Sequence, residues 1–273
     1  MKVCKIFTTL CIVMLCSSSL FAQGNFVSFN IGYGLPSNTQ NLDYFDFYDY
    51  KGNTNGYTET QQFISLGKGF NAGANFGMMF NDNVGVDLGI SYLVGGKSKA
   101  QDVYEDGSTG DYTFSSQMLR FNPSLIISSD HGNLKPYAKF GIVFGTGSVL
   151  FQYNEKEESY ASSMEMKLSQ GMGVGCTSGI GVNFELSKSM SFFGEINVIA
   201  MSYSPKMGEI TKYSVDGVDQ LPDLTTADKE IEFVDEITVD YKNDRTENQP
   251  SQELSQSLPF SSTSINFGIR INL

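Results

Sequence analysis

The chain contains no tryptophan and a single histidine, and it is short of positive charge and of long apolar runs. Outside its first residues no run approaches the roughly 20 apolar residues a spanning helix needs, which excludes a helical membrane protein. With 18 Lys and Arg against 30 Asp and Glu, a nucleic-acid partner is excluded on charge. Three of the four cysteines (Cys4, Cys11 and Cys16) lie near the N-terminus, so Cys176 stands alone beyond it. An internal disulfide is thereby excluded, and stability must come from the fold itself. Cys176 reads as a small apolar residue.

What is present at the N-terminus is a leader. Lys2 and Lys5 precede an apolar run over 6–15, and 17–22 supplies a small-residue exit, so residues 1–22 are expected to be a signal peptide cleaved after Ala22. Leu10 before Cys11 and Leu15 before Cys16 are poor lipoprotein signals. Loss of Lys2 and Lys5 leaves 16 basic residues against 30 acidic ones, a charge of −14 on the mature chain 23–273.

From residue 25 onward the dominant signal is a period of two. Successive side chains of a strand point to opposite faces. In 25–35, Val27, Phe29, Ile31, Tyr33 and Leu35 alternate with Ser28, Asn30, Gly32 and Gly34. The same grammar predicts strands at 70–80, 84–94, 119–127, 136–144, 172–184, 192–200 and 261–273. Three irregularities stand out: Pro123 removes a ladder donor, Phe193 and Ile199 blur the seventh alternation, and Lys68 shares the apolar phase of Phe70. Pro123 is expected at a bulge or near a membrane edge, and Lys68 at or above the headgroups. In the last stretch Ile265, Phe267, Ile269, Ile271 and Leu273 hold one phase against Ser264, Asn266, Gly268, Arg270 and Asn272.

Eight such strands predict an all-β fold: an antiparallel, up-and-down transmembrane β-barrel. The connections alternate long and short. Turns at 81–83, 128–133 and 186–189 are brief, whereas polar loops span 36–62, 95–116, 146–168 and 202–258. That asymmetry predicts short periplasmic turns, long extracellular loops and both termini in the periplasm. The last loop carries 13 acidic and 5 basic residues. Within it Val215-Asp216-Gly217-Val218 reads as a hairpin turn, and Ile237, Val239 and Tyr241 alternate, so strands are expected to rise here as a ribbon. Asp87, Arg120, Lys139, Glu195 and Arg270 lie in five different strands, each on the non-apolar phase. A cation facing lipid at midplane costs roughly 2–4 kcal/mol, so this sorting is what a bilayer demands.

The leader, the eight alternating strands and the ending Phe260-Ser261-Ser262 through Ile265-Asn266-Phe267-Gly268 resemble the small outer-membrane β-barrel proteins of Gram-negative bacteria, the eight-stranded OmpA/OmpX-like class. Lys135-Pro136-Tyr137 and the Glu-Ile-Glu-Phe-Val-Asp-Glu segment at 230–236 are similar to members common in Bacteroidetes. The resemblance implies a C-terminal insertion signal in Ile265, Phe267, Ile269, Ile271 and Leu273, with Leu273 where an aromatic is usual. It also implies insertion by the barrel-assembly machinery, outer-membrane lipid and lipopolysaccharide as surroundings, and no periplasmic domain after the barrel.

An eight-stranded barrel is just wide enough for side chains to fill. Asp87, Arg120, Lys139, Glu195 and Arg270 are therefore expected to meet inside as a structural plug of ion pairs, rather than as a proton or small-ion path. Inward glycines of the sixth strand fit either close packing or a small water-filled pocket. His131 falls in a short periplasmic turn beside Asp130, away from the side where outer-membrane lipid-modifying enzymes and barrel proteases keep a catalytic histidine. Without that base no enzyme is expected. Asp43, Asp46 and Asp49 recur every third residue but lack the spacing of a calcium loop, so no cofactor or metal is expected. The leading expectation is a monomeric surface protein with a plugged lumen and acidic loops for contact with a protein or host surface; a narrow porin-like channel is the alternative.

Overall fold

The computed structural model describes residues 24–40, 47–129, 132–238 and 247–273. Eight long strands form the wall: β1 (Gly24–Pro36), β2 (Gly69–Met79), β3 (Val84–Gly95), β4 (Thr109–Ser128), β5 (Leu134–Lys156), β6 (Met172–Ser187), β7 (Met190–Ser204) and β8 (Ser262–Asn272). Each pairs antiparallel with its sequence neighbours in this set. β8 then closes on β1, from Phe26 opposite Asn272 to Pro36 opposite Ser262. The sheet has no free edge in its wall, the arrangement a membrane requires of strands.

The strands differ in length because some of them outrun the apolar pattern. β4 has 20 residues and β5 has 23, well beyond the predicted 119–127 and 136–144. The predicted loops at 95–116 and 146–168 are thus largely ladder. Ser98–Val103 pairs with the start of β4, and Ala161–Ser169 pairs with the end of β5. These stretches read as loops because their phase inverts. On β4 the outward residues change from Leu119, Leu125 and Ile127 to Asp111, Thr113 and Gln117, while the inward ones change from Arg120 and Asn122 to Phe114 and Met118. Sequence patterning that follows one apolar face loses the strand where that face changes sides.

The long last connection is also ordered where described. Met207–Val215 pairs with Ala161–Ser169, and Val215 faces Val218 across a tight turn. Asp216 and Gly217 carry φ of 50° and 77°, the left-handed pair that a type I′ hairpin needs. Glu230–Val234 and Ser251–Leu254 form a short parallel pair. Ile237 lies just beyond it outside any strand, and Val239 and Tyr241 fall outside the described residues.

Two further expectations are corrected. Pro123 sits opposite Leu88 with no shift of register, so the expected bulge is absent; its missing donor leaves a gap at Asn122 and Pro123 in the ladder to β5. Phe193 and Ile199 do not break the alternation of β7 but belong to its inward phase, where both are buried. Lys68 lies just before β2, half-buried, its carbonyl accepting from Gly96 N at 3.0 Å.

Candidate functional site

The interior is the candidate site, and it has three levels. At the end with the short turns, Phe26, Ile126, Tyr137 and Phe193 form a buried apolar cluster. Three of these rings lie directly across a ladder from a glycine: Phe26 from Gly77, Tyr137 from Gly181, Phe193 from Gly268. A Cβ at any of those glycines would sit within 2.6 Å of the ring opposite. These three inward glycines are therefore sockets for aromatic rings, which settles Gly181 of β6 in favour of close packing. The Arg270 guanidinium lies 3.4 Å from the centre of the Phe26 ring, a cation–π contact.

The middle level is polar. Lys139 Nζ reaches Asp87 Oδ2 at 2.8 Å and Glu195 Oε2 at 3.2 Å, and Tyr137 Oη donates to Glu195 Oε2 at 3.0 Å. Neighbouring amides and hydroxyls pair across the same level: Asn75 Nδ2 donates to Ser28 Oγ and Asn197 Nδ2 to Thr177 Oγ1, both at 3.1 Å. Of the five lumen charges, the structure thus joins three. Asp87, Arg120 and Glu195 are 3, 3 and 6 % exposed. Arg120 shares the level without an ion pair of its own among the described residues, and Arg270 stands below it on Phe26. Lys135 and Glu185, which sequence reasoning did not single out, pair at 2.8 Å at the mouth.

The upper level is an apolar core unseen in the sequence. Leu93, Phe114, Met118, Val143, Val149, Phe151, Ile199, Met201 and Tyr203 point inward from the wall. The connections contribute Phe47, Leu66, Leu258 and Phe260, all buried to 2 % or less. Two connection segments cross here. Leu66 N donates to Pro259 O at 2.8 Å, Phe260 N to Met201 O at 2.9 Å, and Ser65 Oγ to Ser261 O. Gly67 is required at the crossing, since a Cβ there would lie 2.2 Å from Phe260 O. Higher still, Tyr112 Oη donates to Asp102 Oδ2 at 2.9 Å. Burial first, then that hydrogen bond and the Asp102 charge, push the Tyr112 phenol well above its ordinary pKa.

Ile265, Phe267, Ile269 and Ile271 face outward on β8, each 40 % exposed or more, and Leu273 follows the strand with its N–H donating to Asn25 O at 2.8 Å. Cys176 is exposed on the outer face of β6. Asp49 accepts from Gln101 N at 2.8 Å and Gln62 Nε2 at 2.6 Å, tying connections together. Asp43, Asp46, Asp130 and His131 lie outside the described residues, as does the leader. Among the described residues no group of three or more His, Cys, Asp and Glu side chains is placed to hold a metal.

The outer membrane protein beta-barrel domain matches residues 8–219. The chain belongs to this family. Among solved structures it is similar to a major outer membrane protein from Thermus thermophilus, at 12% identity over 91% of this chain and 99% of that one, with a TM-score of 0.33. It is also similar to OmpT, an outer membrane protein of Vibrio cholerae, at 6% identity over 91% and 96% of the two chains, with a TM-score of 0.09. Likenesses this distant carry no argument; the eight-strand closure rests on the pairing registers above. No curated protein matches the sequence. This is an outer-membrane β-barrel.

Proposed function

We propose that this protein is a sealed, non-enzymatic barrel whose work is done by its long connections. The observation that carries this is the upper core: Phe47, Leu66 and Phe260 descend from the connections into the barrel and pack against inward Phe114, Met118 and Tyr203. Dry apolar packing at interior density leaves no path for a hydrated ion. The crown made by the long connections then faces outside, both termini face the periplasm, and the acidic last connection offers its surface to a protein or host partner. In this reading the protein is monomeric, inserted by the barrel-assembly machinery and surrounded by outer-membrane lipid and lipopolysaccharide.

One observation favours the second reading, a narrow channel. The middle level is lined by charged and amide side chains, the kind of surface that selects ions. Conductance of the refolded mature chain in a planar bilayer separates the two. Silence is expected, with insertion verified by a heat-shifted gel band. Steady, discrete openings would overturn the sealed barrel in favour of the channel.

A further inference from the structure

The connection between β1 and β2 carries a hairpin that ends the raised sheet. Tyr48–Asn53 and Gly56–Gln61 pair antiparallel around Thr54-Asn55. On its other side Tyr48–Asn53 pairs with Ser98–Val103, which in turn pairs with β4. Gly56–Gln61 has no second neighbour among the described strands, and all its residues are exposed. In a two-residue hairpin the pair flanking the turn, here Asn53 and Gly56, is hydrogen-bonded, and bonding alternates from there. Thr58 and Thr60 therefore bond inward, while the N–H and C=O groups of Tyr57, Glu59 and Gln61 point away from the sheet. Such an edge is a template for another strand. It is also held in place. Phe47, just before the hairpin, is buried with its ring centre 5.2 Å from that of Phe114, and Asp49 accepts from Gln101 N at 2.8 Å.

The side chains decide which strand fits. The Tyr57 ring stacks on Tyr50, 5.6 Å between centres and 24° between planes, and Tyr50 meets Tyr104 at 5.0 Å. Tyr57 is 65 % exposed, so the outer end of this stack is open. Glu59 lies opposite Tyr50 across the ladder and hence on the same face. Residues 48–61 and 102–106 hold Asp49, Glu59, Asp102, Glu105 and Asp106 against Lys51 alone. A second copy of the chain would bring the same acids to the edge, and like charges oppose pairing. A basic strand gains twice, because a tyrosine face attracts a cation and Glu59 pairs with one.

We infer that Gly56–Gln61 is a docking edge for an extended, Lys- or Arg-bearing segment of another protein, which adds one strand to the sheet. The backbone of the segment bonds to Tyr57, Glu59 and Gln61. Its alternate side chains fall on the tyrosine face, one cation over Tyr57 and another beside Glu59. The inference rests on the reading that the long connections meet partners, and it names a site on the first of them. Conductance, which tests the sealed lumen, does not bear on it.

The probe is a fluorescent eight-residue peptide of alternating Arg and Thr. It is titrated by anisotropy against the refolded mature chain in a zwitterionic detergent, with the heat-shifted gel band verifying the barrel. Saturable binding is expected, and none of a Glu-Thr peptide of the same length. No binding of the basic peptide, or equal binding of both, would overturn the inference. Glu59→Gln is expected to weaken binding about fivefold or less, as loss of an exposed ion pair does. Tyr57→Leu should weaken it about two- to fivefold through the lost cation–π contact. Glu59→Pro removes an outward donor while sparing the bonds to Tyr48–Asn53, and is expected to abolish binding. A proline variant that binds like the glutamine one would leave a charged patch and sink strand addition. Amide exchange tests the same point without a variant. The peptide should slow exchange at Tyr57, Glu59 and Gln61, and unchanged rates there would refute the added strand. Binding of soluble dextran that Tyr57→Leu abolishes, with no binding of the peptide, would make the stack a sugar platform instead.

Discussion

The two ends of β4 and β5 are built by opposite rules. In the half nearer the short turns, apolar residues such as Leu125, Ile127, Phe140 and Ile142 face out, each more than 40 % exposed, while Arg120 and Lys139 face in. In the half nearer the crown, Gln117, Ser148 and Gln152 face out, while Phe114, Met118, Val149 and Phe151 face in. The ladder passes from the first regime to the second with its register unchanged, from Ser128 opposite Tyr137 to Thr109 opposite Lys156. The backbone does not know which solvent surrounds it; only the side chains do. The two halves thus present outer faces of opposite polarity on one sheet.

The comparison breaks or sharpens under substitution. The largest effect is expected at the upper core. Phe114→Ala should cost about 3–5 kcal/mol by leaving a cavity, and that cost should fall on the crown alone. Protease added to intact cells should then cut within 95–116 and 146–168 while the wall stays inserted; loss of the whole protein from the membrane would mean the halves are one cooperative unit. Next comes the outer face. Ile180→Arg places a cation against lipid and should cost roughly 2–4 kcal/mol, lowering the amount of heat-shifted barrel in the membrane fraction. Gln152→Arg, outward on the other half, should leave that amount unchanged, and equal losses would refute the inversion. The smallest effect is expected at the tip of the last connection. Gly217→Ala forces an L residue to a φ of 77° and should cost about 1–2 kcal/mol, read as faster proteolysis near 216 with no change in the wall.

The same inversion explains what the sequence could and could not reveal. The eight strands, their order and the outward phase of residues such as Ile31, Ile180 and Ile269 were legible because the apolar period of two is unbroken in the half nearer the short turns. The inward placement of Asp87, Arg120, Lys139 and Glu195 followed from it. The upper core was not legible, although Phe114, Met118, Phe151 and Tyr203 do alternate; they do so on the phase opposite to the belt and so looked like noise in a polar loop. Phe193 and Ile199 show the same cause in miniature, since each was judged against its outward neighbours rather than its own face. A search for period-two runs in either phase, allowed to switch once per strand, would have found these elements. The pairing of Lys139 with both acids, leaving Arg120 aside, was beyond any pattern, because it depends on cross-strand register.

The aromatic–glycine pairs at the base bear on how that register is chosen. Alternation guards against a slip of one residue, which would turn every apolar side chain inward, but it is blind to a slip of two. A slip of two would set Phe26 against Asn75 or Met79, and Phe193 against Asn266 or Arg270, where no socket receives a ring. The rings thus act as a proofreading device during assembly: apolar faces choose the side, and rings seated on glycines count the residues.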